Sequence, residues 1–240
     1  MTLTLTKTVR EYAIETPQTI PVFEKLGIDF CCGGNRPLEE VCASANLDIE
    51  DVLKSLENAL AAPAAKSAKE LQSGSLAELI THIEQTHHVF VRQEIPQIEK
   101  LLEKVHGKHG ANHPELGHIR SVFHGLGQEL MMHLMKEENI LFPYIERMEE
   151  SVMQREPILP PPFGTVANPV RMMEHEHDSA GNALKALREA SHEYQPPADA
   201  CTSFRALYTE LENFEKDLHQ HIHLENNVLF PRALQMENGS

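Results

Sequence analysis

Two stretches of this chain repeat a spacing that can hold a metal. His133-Leu-Met-Lys-Glu137-Glu-Asn-Ile-Leu-Phe-Pro143 is matched by His221-Ile-His-Leu-Glu225-Asn-Asn-Val-Leu-Phe-Pro231, 88 residues further on. On a helix this spacing puts an imidazole and a carboxylate one turn apart on one face, able to reach a single site. A duplicated helical hairpin should carry a matching group on its other helix, and His88 and His177, 89 residues apart, supply it. The candidate metal ligands are therefore His88, His133, Glu137, His177, His221 and Glu225. Four imidazoles and two carboxylates suit a dinuclear centre, with two histidines to each metal and the glutamates bridging. An oxo, hydroxo or exogenous ligand would complete each shell. A nitrogen and oxygen donor set without thiolate suits iron or manganese better than structural zinc.

Four long helices must present these groups, and the apolar seams choose among neighbouring histidines. In the fourth, Phe204, Leu207, Leu211, Phe214 and Leu218 step by three and four, as a bundle seam does. The next steps land on His221, Glu225 and Val228, leaving His219 and His223 outside. The second repeats this with Leu126, Leu130, His133, Glu137, Ile140 and Tyr144. In the third, Val170, Met173, His177 and Ala180 exclude His175; in the first, His88 leads to Val91 and Ile95, and His87 does not. Six polar groups stand where a bundle wants leucine, a cost of several kcal/mol each if uncompensated.

Glu84, Glu129 and Asp217 precede His88, His133 and His221 by one turn, and Glu176 adjoins His177. All four are candidates to orient ligands or line a polar path. Met131, Met132, Met135, Met172 and Met173 are expected to fill the core. Cys42 and Cys201 read as buried small hydrophobes, and His106, His109, His113, His118 and His124 as surface around the first interhelix turn. Pro143 and Pro231 should each bend their helix.

Punctuation divides the chain into a small helical domain over 1–62, a small-residue linker over 63–74, and an antiparallel four-helix bundle over 75–240. Capping boxes at Thr8/Glu11 and Ser75/Glu78 open helices in the two parts. In the small domain, Cys31-Cys32-Gly33-Gly34 places adjacent thiols on a backbone free to turn sharply. Two such thiolates can exchange disulfides, take nitrosyl groups or hold a soft metal. The net charge of −15 opposes nucleic-acid and anionic-membrane partners. No apolar run approaches a membrane span, and the first fifteen residues do not form a secretory signal. Four cysteines, two of them adjacent, make no disulfide framework, which with the other features points to a reducing, cytoplasmic setting.

The paired H-x-x-x-E-x-x-I/V-L-F-P segments, His88 and Glu176-His177-Asp178 resemble the hemerythrin-like bundle of the di-iron iron–sulfur cluster repair proteins, the repair of iron centres family. Gly27-Ile-Asp-Phe-Cys31-Cys32-Gly33-Gly34 resembles that family's cysteine-bearing N-terminal domain. The resemblance implies an all-α fold and two non-haem iron ions, oxo- or hydroxo-bridged, on the six residues above. It implies repair of iron–sulfur clusters damaged by nitric oxide or oxidants, by donating iron or by processing nitric oxide. Damaged iron–sulfur proteins or a cluster scaffold would be the partners, with nitric oxide or oxygen as small ligand. Cys31 and Cys32 would act as a redox group or relay. An oxygen- or nitric-oxide-binding sensor is the alternative. Whether nitric oxide is turned over catalytically, and whether the chain forms a homodimer, the resemblance leaves open.

Overall fold

The computed structural model describes residues 4–61 and 74–239, so the expected linker falls almost wholly outside the described residues. The described chain is all helical, including a short 3-10 turn at Pro17–Thr19, apart from turns, loops and one isolated bridge, Thr8 to Pro37.

The N-terminal part contains α1 (Val9–Glu15), α2 (Ile20–Leu26), α3 (Leu38–Ser44) and α4 (Ile49–Leu60). Both halves of the expected capping box form at Thr8 and Glu11. Gly27 ends α2 in the left-handed conformation, at φ 64°, which glycine adopts without a Cβ penalty. Asp48 caps α4 by accepting from the Glu50 and Asp51 amides.

The bundle comprises four helices, three of which widen into a π turn. Helix α5 is Leu76–Ile83, the π turn Glu84–His88 and Val89–His109; α6 is Glu115–Lys136, the π turn Glu137–Leu141 and Phe142–Gln154. Helix α7 is Ala167–Ala190, and α8 is Thr202–Leu224, the π turn Glu225–Leu229 and Phe230–Asn238. Ser75 and Glu78 make the capping box that starts α5, and Glu149 from α6 accepts the Leu76 and Ala77 amides as well. The principal packed neighbours are α5 with α6, α6 with α7, and α8 with α5. No helix among the described residues is long and apolar enough to cross a membrane.

The π turns correct the expected seam. Ile140, expected inward, is 49% exposed, while the expected Tyr144 and Val228 are buried and Leu141 and Ile145 join them. The extra residue in the α6 π turn carries Ile140 out and brings Leu141 in. Pro143 and Pro231 stand just beyond the π turns of α6 and α8, at the second residue of new α segments, where a missing N–H does not interrupt a regular ladder.

The methionines are also corrected. Met131, Met132, Met135 and Met172 are exposed, and Met173 alone of the five is core. With His133 and His177 turned inward, helical geometry carries their methionine neighbours outward.

The buried apolar side chains form two clusters. One spans the turn between α5 and α6 and the N-terminal domain, including Phe123, Leu130, Leu184, Phe214, Tyr12 and Phe23. The other surrounds the start of α5, including Leu79, Ile83, Phe142, Ile145, Val170 and Phe230. The six candidate ligands belong to neither: they form a buried polar layer on the same four helices.

Candidate metal centre

Each bundle helix gives one histidine to this layer, and α6 and α8 add a glutamate. His88 closes the π turn of α5, and Glu137 and Glu225 open those of α6 and α8. Local π geometry therefore sits at three of the four contributing helices, as is frequent at functional sites. All six residues are at most 2% exposed.

The six resolve into two overlapping groups: His88, Glu137, His221 and Glu225, and His133, Glu137, His177 and Glu225. Within each group the potential ligand atoms lie within 4.8 Å of one another, and both glutamates belong to both groups. His88 Nε2 is 3.2 Å from His221 Nε2, and His133 Nε2 is 3.1 Å from His177 Nε2.

The donor chemistry fits a cation. His88 Nδ1–H donates to Glu138 at 2.8 Å and His133 Nδ1–H donates to Glu176 at 2.8 Å. A carboxylate can only accept, so in the neutral rings the Nε2 lone pairs point inward. Three buried oxygens, both of Glu137 and Oε2 of Glu225, have no hydrogen-bond partner, although ring nitrogens stand 3.1–3.4 Å away. Converging lone pairs and two buried carboxylates are what a multivalent cation compensates. Burial disfavours protonation of His88 and His133, but Glu137 outweighs it, with Glu225 and, for His133, Glu176 adding to its effect, and lifts both to about 10. Glu225 is held well below the usual carboxylate range: burial opposes this, and His221, His177 and His88 overcome it. The cavity favours positive charge.

The four groups expected beside the ligands separate in the structure. Glu176 holds His133 and also pairs with Lys136. Asp217 accepts from His87, not from His221. Glu84 is half-buried in the α5 π turn, where a wider turn no longer stacks it on His88, and Glu129 is exposed on a groove beside His133. No hydrogen bond joins Glu84 or Glu129 to a candidate ligand among the described residues. Two holders went unread in the sequence: Glu138 on His88, itself gripped by Arg92 at 2.7 Å twice, and Asn226, whose Oδ1 accepts from His177 Nδ1 at 2.8 Å. Their signal was the repeat itself, since each follows its glutamate by one residue.

The excluded histidines are not a uniform class. His175 is exposed, and His219 is half-buried with Glu24 3.4 Å away. His87 and His223 are buried, and neither belongs to the metal groups. His223 packs on Phe30 and accepts from Asn227. Burial, with Arg10 nearby, pushes it down to about 4.

The cysteine loop lies against the bundle's flank over α7 and α8, beside the centre rather than across the end of the bundle. Asp29 gathers the loop by accepting from the Cys31, Cys32 and Gly33 amides. Gly34 is required for this turn, since a Cβ there would meet the Phe30 carbonyl oxygen at 2.7 Å, and one on Gly33 would displace the Asp29 carboxylate, 2.8 Å away. The two sulfurs are 3.8 Å apart and unlinked. Cys32 Sγ is 3.9 Å from the carbonyl oxygen of His177, and Asn226 and Asn227 donate to the Cys31 and Phe30 carbonyls. Asp29, Cys31 and Cys32 also converge closely enough to hold a metal. The expected thiolate character is not uniform, because the Cys32 contact and burial, with Asp29, push the Cys31 thiol well up. Both cysteines open on a polar cleft of about 920 Å³ between the small domain and α7 and α8.

At the far end, Cys201 is only half-buried, with His109 Nε2 at 3.2 Å. His113 bridges Glu115 and Asp199 there. Cys42 is buried as expected.

Comparison with known proteins agrees with both parts. Residues 79–233 match the hemerythrin HHE cation binding domain, and residues 5–60 match a domain of unknown function termed ScdA_N. A probable iron–sulfur cluster repair protein of Haemophilus influenzae is 36% identical over 93% of this chain and 95% of its own length. The iron–sulfur cluster repair proteins YtfE of Pectobacterium carotovorum and Dickeya chrysanthemi are 36% and 37% identical, each over 95% of this chain and 96% of their own. With a hemerythrin cation-binding domain over most of its length and relatives that align from end to end, the chain belongs to the family of iron–sulfur cluster repair proteins.

Proposed function

We propose that this protein holds two non-haem iron ions and uses them, in the reducing cytoplasm, to restore iron–sulfur clusters damaged by nitric oxide or oxidants. The observation that carries the reading is the six-residue centre with a vicinal cysteine pair beside one of its ligands. His88 and His221 would hold one ion, His133 and His177 the other, and Glu137 and Glu225 would bridge them. Bound there, the pair of irons supplies redox chemistry toward nitric oxide and a store of transferable iron.

The chain's own residues do the rest. Glu138 and Glu176 fix two rings with their Nε2 atoms inward, and Asn226 fixes a third. The apolar clusters on the same helices exclude water from the centre, which strengthens its electrostatics. A groove of about 460 Å³, lined by Leu130, Met132, His133, Glu176, His177 and Ala180, gives a small ligand a route to the ring edges. The position of the cysteine loop favours repair over the oxygen- or nitric-oxide-binding alternative, since simple binding has no use for a thiol pair at a ligand's backbone.

The test is recovery. Iron-loaded protein is incubated with a nitric-oxide-damaged iron–sulfur enzyme while the enzyme's activity and the iron remaining on the bundle are followed together. Recovered activity with matching loss of bundle iron supports donation, and recovery with the iron retained supports nitric-oxide processing. No recovery in either form would sink the repair reading.

A further inference from the structure

The two halves of the candidate centre are not equivalent, although the sequence repeat makes their ligands correspond. The half formed by His88 and His221 is closed to the surface, with His88 held by a hydrogen bond from outside and the buried His221 Nδ1 left without a partner. His88 Nδ1 is held by Glu138, which Arg92 clamps through both carboxylate oxygens. The His88 ring also lies nearly parallel to Phe142, with centroids 5.7 Å apart. The parallel ring of His87 backs that of His221. His88 and His221 are 0% exposed.

The half formed by His133 and His177 lies beside a groove on one side and the cysteine loop on the other. Both rings line the groove beside Met132 and Glu176. On its other side, His177 is tied to the cysteine loop through one side chain. Asn226 Oδ1 accepts from His177 Nδ1 at 2.8 Å, and the same amide donates Nδ2–H to the Cys31 carbonyl at 3.4 Å. The Arg10 guanidinium holds the Asn226 carbonyl from the small domain at 3.1 Å. At the matching repeat position stands the charged Glu138, so the corresponding histidine, His88, has a carboxylate partner and His177 a neutral amide; His133 has a carboxylate too, Glu176, which makes His177 the ligand of this half with the weaker partner. A carboxylate makes a ligating imidazole a stronger donor than an amide does, and such partners typically change metal affinity 10–100-fold.

We infer that iron leaves from the position held by His133 and His177, and that Asn226 is the positioning residue linking that exit to the cysteine loop. The inference rests on the di-iron reading above and goes beyond it by assigning which ion is released and what governs it. Release would be ligand exchange without change of oxidation state: His133, His177 and the two glutamates would give up a ferrous ion to the donors of the acceptor, and protons from the buffer would take its place on the vacated nitrogens.

The experiment follows iron passing from the fully loaded, full-length, reduced protein to a ferrous chelator in excess. Two kinetic phases are expected, each carrying one iron per chain. Asn226→Leu, which removes both bonds of the link, should speed the fast phase by about tenfold and leave the slow one unchanged. Asn226→Asp, which supplies the carboxylate found opposite, should slow the fast phase. Glu138→Gln should change only the slow phase. If both irons leave in a single phase, or if Asn226 variants shift both phases alike, the inference falls while the di-iron reading stands. A wild-type chain that never holds two irons would instead overturn the di-iron reading itself. Should Asn226→Leu lose helicity, the Asn226→Asp and Glu138→Gln arms decide.

Discussion

The ring of His87 lies parallel to that of His221, with 2° between the planes and 5.7 Å between centroids. Yet its Nδ1–H goes to Asp217 at 3.0 Å. A buried histidine can thus touch the centre without contributing a donor to it. His88→Ala, His177→Ala and His221→Ala should each lower bound iron, whereas His87→Ala, His175→Ala, His219→Ala and His223→Ala should keep about two per chain. His87→Ala should lose about 1–3 kcal/mol of stability with the buried hydrogen bond, and exposed His175→Ala almost none. Iron assay and thermal melts on the same preparations check both halves. A depleted centre in His87→Ala with a full one in His88→Ala would reverse the assignment on α5.

The bridging glutamates give a sharper variant. Glu137→Leu or Glu225→Leu conserves most of the volume and removes a carboxylate common to both metal groups. Iron should fall from about two per chain to about one or less, and the visible spectrum should change with it. Full iron and an unaltered spectrum in both variants would remove the six-ligand model.

The cysteine pair should matter to repair and not to assembly. Its sulfurs contribute to neither group of histidines and glutamates. Cys31→Ser/Cys32→Ser should therefore keep two irons and native helicity while losing most repair activity on a damaged client. Undiminished repair at matched iron content would make the pair structural.

Away from the centre, Arg188 grips the buried carboxylate of Glu215 through two hydrogen bonds, at 3.1 and 2.7 Å. Arg188→Met would strand that charge at the junction of α7 and α8. A loss of about 3 kcal/mol is expected, the lower end for a broken buried pair because the guanidinium is partly solvated. Denaturant unfolding measures it, and a change below about 0.5 kcal/mol would show that water reaches Glu215.

At the far end, hydrogen bonding to Asp199 raises the His113 pKa; burial opposes it, and Glu115 adds to the rise. A folded-state pKa above the unfolded value stabilises fully below about pH 6.5, and the contribution is lost as pH rises through the folded midpoint. The NMR titration of His113 should have its midpoint above 6.5, and Asp199→Asn should draw it down. An unmoved midpoint would assign the shift to Glu115.

The sequence by itself determined the bundle, its capping boxes and the set of residues that meet at its centre. Those features are periodic and local: a helix whose seam steps from leucines to His221 and Glu225 can direct those side chains only inward. It could not place Ile140, the methionines or the ring holders, because each depends on something beyond one helix's period. The π turn of α6 carries Ile140 outward and Leu141 inward. Met131, Met132, Met135 and Met172 are apolar without being core, because the inward positions were already taken. Glu138, Asn226 and Asp217 find their histidines across helices, on distances that only packing sets. The same holds for the cysteine loop, whose contact with His177 arises from how the small domain packs over α7 and α8, and no spacing along the chain encodes that.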